Sequence, residues 1–285
     1  MHIKDMYQKG RLGISFELFP PKEPTGDEPL YRAAERLTRH HPVFFSCTYG
    51  AGGTTRDRTL DICAQLQKQF GVPATAHFTC VGSSKSELLE WLGKARQWGI
   101  KNIMTLRGDI PPNMPLRPDG PQHASELVEL IKANFPEFGI GVAGYPEKHV
   151  EAPDAETDLN HLKRKVDAGA DAVYTQLFFD NKHFFEFYER YQKAGIKVPL
   201  IPGIMPITEF ARIKRMSEMC GTYIPPKLCH QLEAAKDDRE AQLTIGIEHA
   251  ARQCEELIAG GVPGIHFYAL NLSKACRGVL EALGR

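Results

Sequence analysis

The sequence predicts an α/β fold, a (β/α)8 barrel formed as a single domain over residues 1–285, with an extra helix in the seventh unit. Three observations predict it. Short apolar, β-branched or aromatic runs alternate eight times with stretches of helical spacing, the pattern of parallel strands joined by crossover helices. Eight units in 285 residues leave about 36 residues each, enough for a barrel of ~250 residues. The first run ends in Pro20-Pro21, whereas the competing doubly wound sheet places a phosphate-binding glycine turn there.

The strands follow from the runs at 14–19, 43–49, 74–80, 102–106, 140–145, 172–179, 199–204 and 265–271. The helices follow from apolar residues recurring every three or four positions. Leu30, Ala33, Ala34 and Leu37 share a face after the first strand, and Leu60, Cys63, Ala64 and Leu66 after the second. Leu88, Leu89, Leu92 and Ala95 follow the third, and Leu127, Val128 and Ile131 the fourth. Leu159, Leu162, Val166 and Ala170 follow the fifth, and Phe184, Phe187, Tyr188 and Tyr191 the sixth. The seventh strand is followed by helical spacing at 209–218 and again at 238–259, more than one unit needs; 274–283 closes the chain.

Composition excludes several classes. Lys plus Arg and Asp plus Glu are 35 each, so no global positive field points to nucleic acid. Apolar residues make up 42%, too many for a disordered chain. No apolar run reaches the ~18 residues of a membrane span, and Met1-His2-Ile3-Lys4-Asp5 begins no signal core. Seven cysteines without a C-x-x-C pair read as reduced thiols of a cytoplasmic protein, and they lack the ligand spacing of a zinc site.

Functional groups of such barrels sit at the C-terminal ends of the strands. Those positions hold Glu17, Thr48, His77, Arg107-Gly108-Asp109, Tyr145, Gln176 and Asn271. Alternation turns Ile14, Phe16 and Leu18 toward the helices and Ser15 and Glu17 into the barrel. A carboxyl there is costly unless paired or neutralised. Glu17 is therefore either a general acid kept protonated by burial or a structural group bonded to a neighbour. Asp109 is either a site group or the ion-pair partner of Arg107. Gln176, among Tyr174, Leu177, Phe178 and Phe179, is a buried amide that needs partners, a ligand among them.

The G-x-G-x-x-G at 139–144 is a decoy, because it leads to Tyr145-Pro146 and not to a helix; small residues there suit a tight barrel wall. The loop at 48–55 is more promising. Its glycines permit close backbone approach to a ligand, and Thr54 or Thr55 can cap the next helix; a plain connecting loop is the alternative. Asp158, His161 and Lys165 share a helix face, where Lys165 with Arg164 can neutralise a phosphate or form a solvated stripe.

These residues carry a resemblance to the methylenetetrahydrofolate reductases, in their bacterial single-domain form. The matching stretches are SFELFPPK (15–22), FSCTYGAGG (45–53), LRGD (106–109), GYPEKH (144–149), LKRKVDAGAD (162–171), TQLFFD (175–180), IPGI (201–204) and HFYALN (266–271). They run in family order through nearly the whole chain. The resemblance implies a (β/α)8 TIM barrel holding FAD. It implies reduction of 5,10-methylenetetrahydrofolate to 5-methyltetrahydrofolate with NADH or NADPH, in ping-pong order, supplying methyl groups for methionine synthesis. It implies that Glu17 is the general acid that helps open the folate ring to an iminium, and that Asp109 lies near flavin and pterin. Gln176 is then a substrate contact. Thr48, Tyr49, Ala51, His77, Arg107, Gly108, Asp109, Tyr145, His149, Asp158, Arg164 and Lys165 fall where the family contacts FAD, with Thr48 alternatively serving the nicotinamide. It also implies a homo-oligomer and no metal.

Three positions depart from the relatives. Met216 stands where they carry Phe, Arg212 where they carry a folate-binding Gln, and Leu272 where they often carry Arg. A Met fills the same space more softly, Arg212 is expected to pair with the folate glutamate tail, and Lys274 to supply the missing cation. The end at Arg285 carries the expectation that no S-adenosylmethionine-binding regulatory domain follows. Two other readings compete. A metal-dependent barrel hydrolase needs converging ligands, but His77, His149 and His266 are in neither H-x-H nor H-x-x-x-H spacing. A flavin-binding barrel without turnover is consistent with Arg212, Met216 and Leu272, and is opposed by Glu17, Asp109 and Gln176.

Overall fold

The structure, a computed structural model, describes residues 1–7, 10–21, 23–49, 56–110 and 117–285. Among these are nine strand segments: β1 (Gly13–Leu18), β2 (Phe44–Cys47), β3 (Ala74–Thr79), β4 (Asn102–Leu106), β5 (Gly139–Gly144), β6 (Ala172–Thr175), β7 (Leu200–Ile201), β8 (Gly203–Ile204) and β9 (Gly264–Tyr268). All pair in parallel, in the order β7-β6-β5-β4-β3-β2-β1-β9-β8. β7 and β8 are the two halves of the seventh barrel strand, divided at Pro202, which has no N–H to give a ladder. β7 pairs with β6 and β8 with β9, and the Pro202 carbonyl still accepts from the His266 N–H at 3.0 Å. The sheet thus curls into the expected barrel.

The helices are α1 (Asp27–Thr38), α2 (Arg56–Phe70), α3 (Lys85–Gln97), α4 (Ala124–Asn134), α5 (Ala155–Asp167), α6 (Asn181–Lys193), α7 (Phe210–Cys220), α8 (Pro226–Ala234), α9 (Arg239–Ala259) and α10 (Ser273–Ala282). The seventh unit therefore carries α7, α8 and α9. Sequence reasoning reads α7 and α9 and passes over α8, whose two buried leucines, Leu228 and Leu232, give too short a period to register. The sixth and eighth strands end three or four residues before their apolar runs do. After Thr175 the chain turns, and Leu177 and Phe179 pack with Phe210 and Ile213 of α7 and Leu228 and Leu232 of α8. After Tyr268, Leu270 (φ 48°) and Asn271 (φ 60°) take the left-handed conformation, which no strand accommodates.

Alternation holds on β1. Ile14, Phe16 and Leu18 pack in the core that contains Leu30, Ala34 and Leu37 of α1, and Ser15 and Glu17 face inward. The decoy glycines form β5. A Cβ at Gly141 would lie 2.9 Å from the Tyr174 ring and 3.1 Å from the Met104 methyl group, so the wall is as tight as expected.

The barrel floor is closed by the N-terminal segment. Ile3, Met6 and Tyr7 are buried with Phe44, Met104, Ala172, Tyr174 and Ile201. Gly13 and Gly264 leave room for the Tyr7 ring, which a Cβ would approach to 2.9 and 2.6 Å. Asn102 fixes the plug: its Oδ1 accepts from the Ile3 N–H (2.8 Å), and its Nδ2 donates to the Met1 carbonyl (3.0 Å). Asn102→Ala strands a buried N–H and is expected to cost about 2 kcal/mol. The readout is a lower urea midpoint at unchanged slope; an unshifted midpoint would show that packing alone holds the plug.

Candidate active site

The C-terminal ends of the strands surround a cavity of about 460 Å³. β1 supplies Glu17, the end of β2 Thr48 and Tyr49, and β3 His77. The loop after β4 brings Arg107, Gly108 and Asp109, the loop after β5 Tyr145 and His149, and the end of β6 Gln176. Met216 of α7 completes the predicted set. A second cavity of about 410 Å³ shares Arg107, Tyr145 and His149 with the first and runs along the start of α4 and one face of α5, where Asp158, His161, Arg164 and Lys165 lie. The α5 stripe thus faces a cavity rather than plain solvent.

Glu17 lies between two imidazoles. Its Oε2 is 3.3 Å from His77 Nε2 and 3.7 Å from His266 Nε2. Burial lowers the proton affinity of His77, with the Glu17 charge opposing, so His77 is neutral at pH 7. His266 stacks on Phe44 and bonds through Nδ1 to Ser15 Oγ at 2.8 Å. Sequence reasoning meets His266 inside a motif and as a rejected metal ligand; its parity with Gly264 and Tyr268 on β9 is the signal that it points inward. Tyr268, also missed, donates its hydroxyl to the Thr175 carbonyl at 2.6 Å and lines the same cavity.

Among the described residues the buried Thr48 hydroxyl has no hydrogen-bond partner, and neither has that of Thr105 in the second cavity. The Leu177 N–H donates to Gln176 Oε1 at 2.8 Å, which fixes the amide's orientation. Gly108 sits at φ 87°, where a side chain would be strained and would meet Val81 at 2.8 Å. Arg107 does not pair with Asp109. Its guanidinium makes a bidentate bridge to Glu151, at 2.6 and 2.7 Å, a partner that sequence reasoning missed because it lies in the loop after β5. Asp109 stands exposed at the mouth.

On α5, Lys165 Nζ donates to the Ala143 carbonyl and lies 5.9 Å from the Tyr145 ring centre. Burial pushes its ammonium down to about 8, with Asp158 opposing. Asp158 in turn accepts from the His149 N–H at 3.2 Å, and the His149 ring meets Tyr145 edge-on at 4.7 Å.

Arg212 is exposed on α7, one turn before Met216, and lines neither cavity. Lys274 does not replace the missing cation: Glu240 of α9 holds its ammonium at 2.7 Å. Asn271 is structural, bracketing the Phe19 N–H and carbonyl at 2.9 and 2.7 Å and so tying the chain after β9 to the end of β1. Ala51 and the rest of the 50–55 loop lie outside the described residues. Among the described residues no three His, Cys, Asp or Glu side chains are grouped to hold a metal ion, and no helix is long and apolar enough to cross a membrane.

Comparison with known proteins agrees with this geometry. A family described as methylenetetrahydrofolate reductase matches residues 2–284. The 5,10-methylenetetrahydrofolate reductase of Escherichia coli is 37% identical over 97% of this chain and 92% of its own. Methylenetetrahydrofolate reductase (NADH) 1 of Arabidopsis thaliana is 38% identical over 99% of this chain and 50% of its own. The chain thus spans about half the length of the plant relatives it matches. Among solved structures, a Clostridium thermocellum protein described as binding two copies of 5-methyl-5,6,7,8-tetrahydrofolic acid superposes with a TM-score of 0.60 at 12% identity, covering 95% of this chain and 94% of that one, a likeness of fold. On a match that runs from the floor plug to the last helix, the chain belongs to the methylenetetrahydrofolate reductase family.

Proposed function

We propose that this chain, as a single barrel domain, reduces 5,10-methylenetetrahydrofolate to 5-methyltetrahydrofolate with FAD as cofactor and NADH or NADPH as donor, in ping-pong order. The observation that carries the reading is the Glu17 carboxyl set between two buried imidazoles at the strand ends. Opening the methylene bridge requires a proton on the leaving nitrogen, and a carboxyl shielded from water is suited to give it. The plant relatives are named for NADH, which makes NADH the first donor to try. The family resemblance also supports a cytoplasmic homo-oligomer that feeds methionine synthesis.

The residues fit an FAD. Two adjacent cavities that share lining residues suit a long ligand with a ring at one end and an anionic middle. The unpartnered Thr48 and Thr105 hydroxyls offer hydrogen bonds, and Gly108 leaves space for close approach. Arg107, Arg164 and Lys165 would hold the diphosphate. Tyr49, Tyr145, His77, His149 and Asp158 would line the rest, with Ala51 from the neighbouring loop. The flavin, when bound, supplies a two-electron carrier between nicotinamide and folate. Glu17 would protonate the folate nitrogen, Asp109 at the mouth would lie near flavin and pterin, and Gln176, Thr48 and Met216 would position the substrate. Arg212, exposed one turn from Met216, is left for the glutamate tail outside the cavity.

The test is anaerobic. Reconstituted with FAD, the protein should bleach at the flavin absorbance on NADH addition and recover it on adding methylenetetrahydrofolate. Bleaching without recovery would leave a flavin-binding barrel with another acceptor, and failure to retain FAD would sink the proposal.

A further inference from the structure

Arg107 stands where the two cavities meet and lines both. Its guanidinium carries five N–H groups in a fixed plane. Nη1 and Nη2 donate to the two Glu151 oxygens at 2.6 and 2.7 Å, and Nε turns back to the Gly108 carbonyl at 3.2 Å. Bidentate recognition of a phosphate uses two parallel N–H groups on one edge. Glu151 fills the end-on edge, and the edge beside it has given Nε to Gly108. No open fork is left for a diphosphate.

The carboxylate is the movable member of this pair. The Glu151 side chain is 58% exposed and that of Arg107 23%. Two other acids line the second cavity, and each is fixed by a backbone N–H: Glu126 by Gln122 at 2.8 Å and Asp158 by His149 at 3.2 Å. Among the described residues the Glu151 carboxylate is held by Arg107 alone. The loop need not move with it. The Glu151 N–H is anchored on His149 Nδ1 at 3.1 Å, and the Ala152 N–H on the His149 carbonyl at 3.0 Å. Rotation of the Glu151 side chain into solvent therefore opens the fork and leaves His149 in the cavity wall. It also takes a negative charge away from a place suited to an anion, where like charges repel.

We propose that Glu151 is a displaceable counter-ion: it holds the Arg107 fork in the cofactor-free protein and gives it up to the diphosphate of the cofactor. The inference rests on the reading of the two cavities as an FAD site. Its consequence is an affinity lower than the cations alone would give, because binding waits on the fraction of molecules in which the bridge is open. A carboxylate that merely oriented Arg107 toward the phosphates would act with the opposite sign, and its loss would weaken binding.

The experiment compares wild type with Glu151→Gln, whose amide keeps the size of the side chain but offers Arg107 a single acceptor oxygen and no charge. Titration of the cofactor-free proteins with FAD should show binding about tenfold tighter in the variant, the factor for a bridge closed about nine-tenths of the time. In an Arg107→Met background the same substitution should change the affinity by less than about twofold, because no fork is there to release. Unchanged or weaker binding in Glu151→Gln, or the full gain without Arg107, overturns the inference. The second readout needs no cofactor. Phenylglyoxal condenses with the two terminal nitrogens of a free guanidinium, and mass spectrometry of the peptide that carries Arg107 gives its rate. Arg107 should react about tenfold faster in Glu151→Gln than in wild type; equal rates overturn the inference. Wild type that binds no FAD would instead sink the proposed cofactor, and the phenylglyoxal rates would still decide whether Glu151 closes the fork.

Discussion

Glu17→Gln is expected to leave NADH-driven flavin bleaching near wild type while slowing folate-driven recovery about 10²–10⁴-fold, the range set by loss of a general acid. The amide keeps the size and shape of the carboxyl, so it fills the same gap between His77 and His266. It has no acidic proton to give. Hydride transfer from a nicotinamide needs no such proton, whereas opening the folate ring does. The split between half-reactions therefore isolates the acid role. If both half-reactions slow equally, Glu17 shapes the cavity and some other group supplies the proton. A thermal midpoint beside wild type's guards against a folding defect, since the amide can bond to either ring.

The strands and the inward parity of Glu17 were legible because a two-residue period in a parallel strand fixes which side each group faces. His77, Gln176 and the Arg107-Gly108-Asp109 turn were found the same way, at strand ends. Legibility fell where a residue's direction depends on how a helix docks. Met216 and Arg212 lie one turn apart on α7, and nothing in their spacing says that one lines the cavity and the other faces solvent. Charge pairing was also hidden. Arg107 has an acid two residues away, yet it takes Glu151, 44 positions on, because the loops after β4 and β5 are neighbours only in the closed barrel. Lys274 is held by Glu240 for the same kind of reason. His266 was weighed only as a metal ligand and set aside, while its bond to Ser15 depends on the register across β1 and β9. The floor plug was not foreseen at all, since Ile3, Met6 and Tyr7 span a single short turn, too brief to stand out, and gain their burial only from the barrel beneath which they fold.

Lys165→Met is expected to weaken FAD binding about 10- to 100-fold, the worth of a lost charge-assisted hydrogen bond, and to remove a pH dependence that wild type shows. Burial pushes the Lys165 ammonium down to about 8 in the folded protein, against about 10.4 in an unfolded chain. Between those values the unfolded chain binds more protons than the folded one, so wild-type stability without cofactor rises with pH across that window and is level below it. Methionine does not titrate, and the variant should lack this rise. Cofactor affinity runs the opposite way. A diphosphate favours the charged ammonium, so wild-type FAD affinity should fall as pH climbs past about 8, and that fall should be absent from Lys165→Met. Asp158, Tyr145, His149, Arg107 and Arg164 share the cavity and are present in both proteins, so the difference between the two profiles belongs to Lys165. Urea midpoints and fluorescence titrations with FAD from pH 7 to about 10 give both curves. Parallel stability profiles would assign the rise to another group. Unchanged FAD affinity would move the diphosphate away from α5, to Arg107, where it would have to share the guanidinium with Glu151.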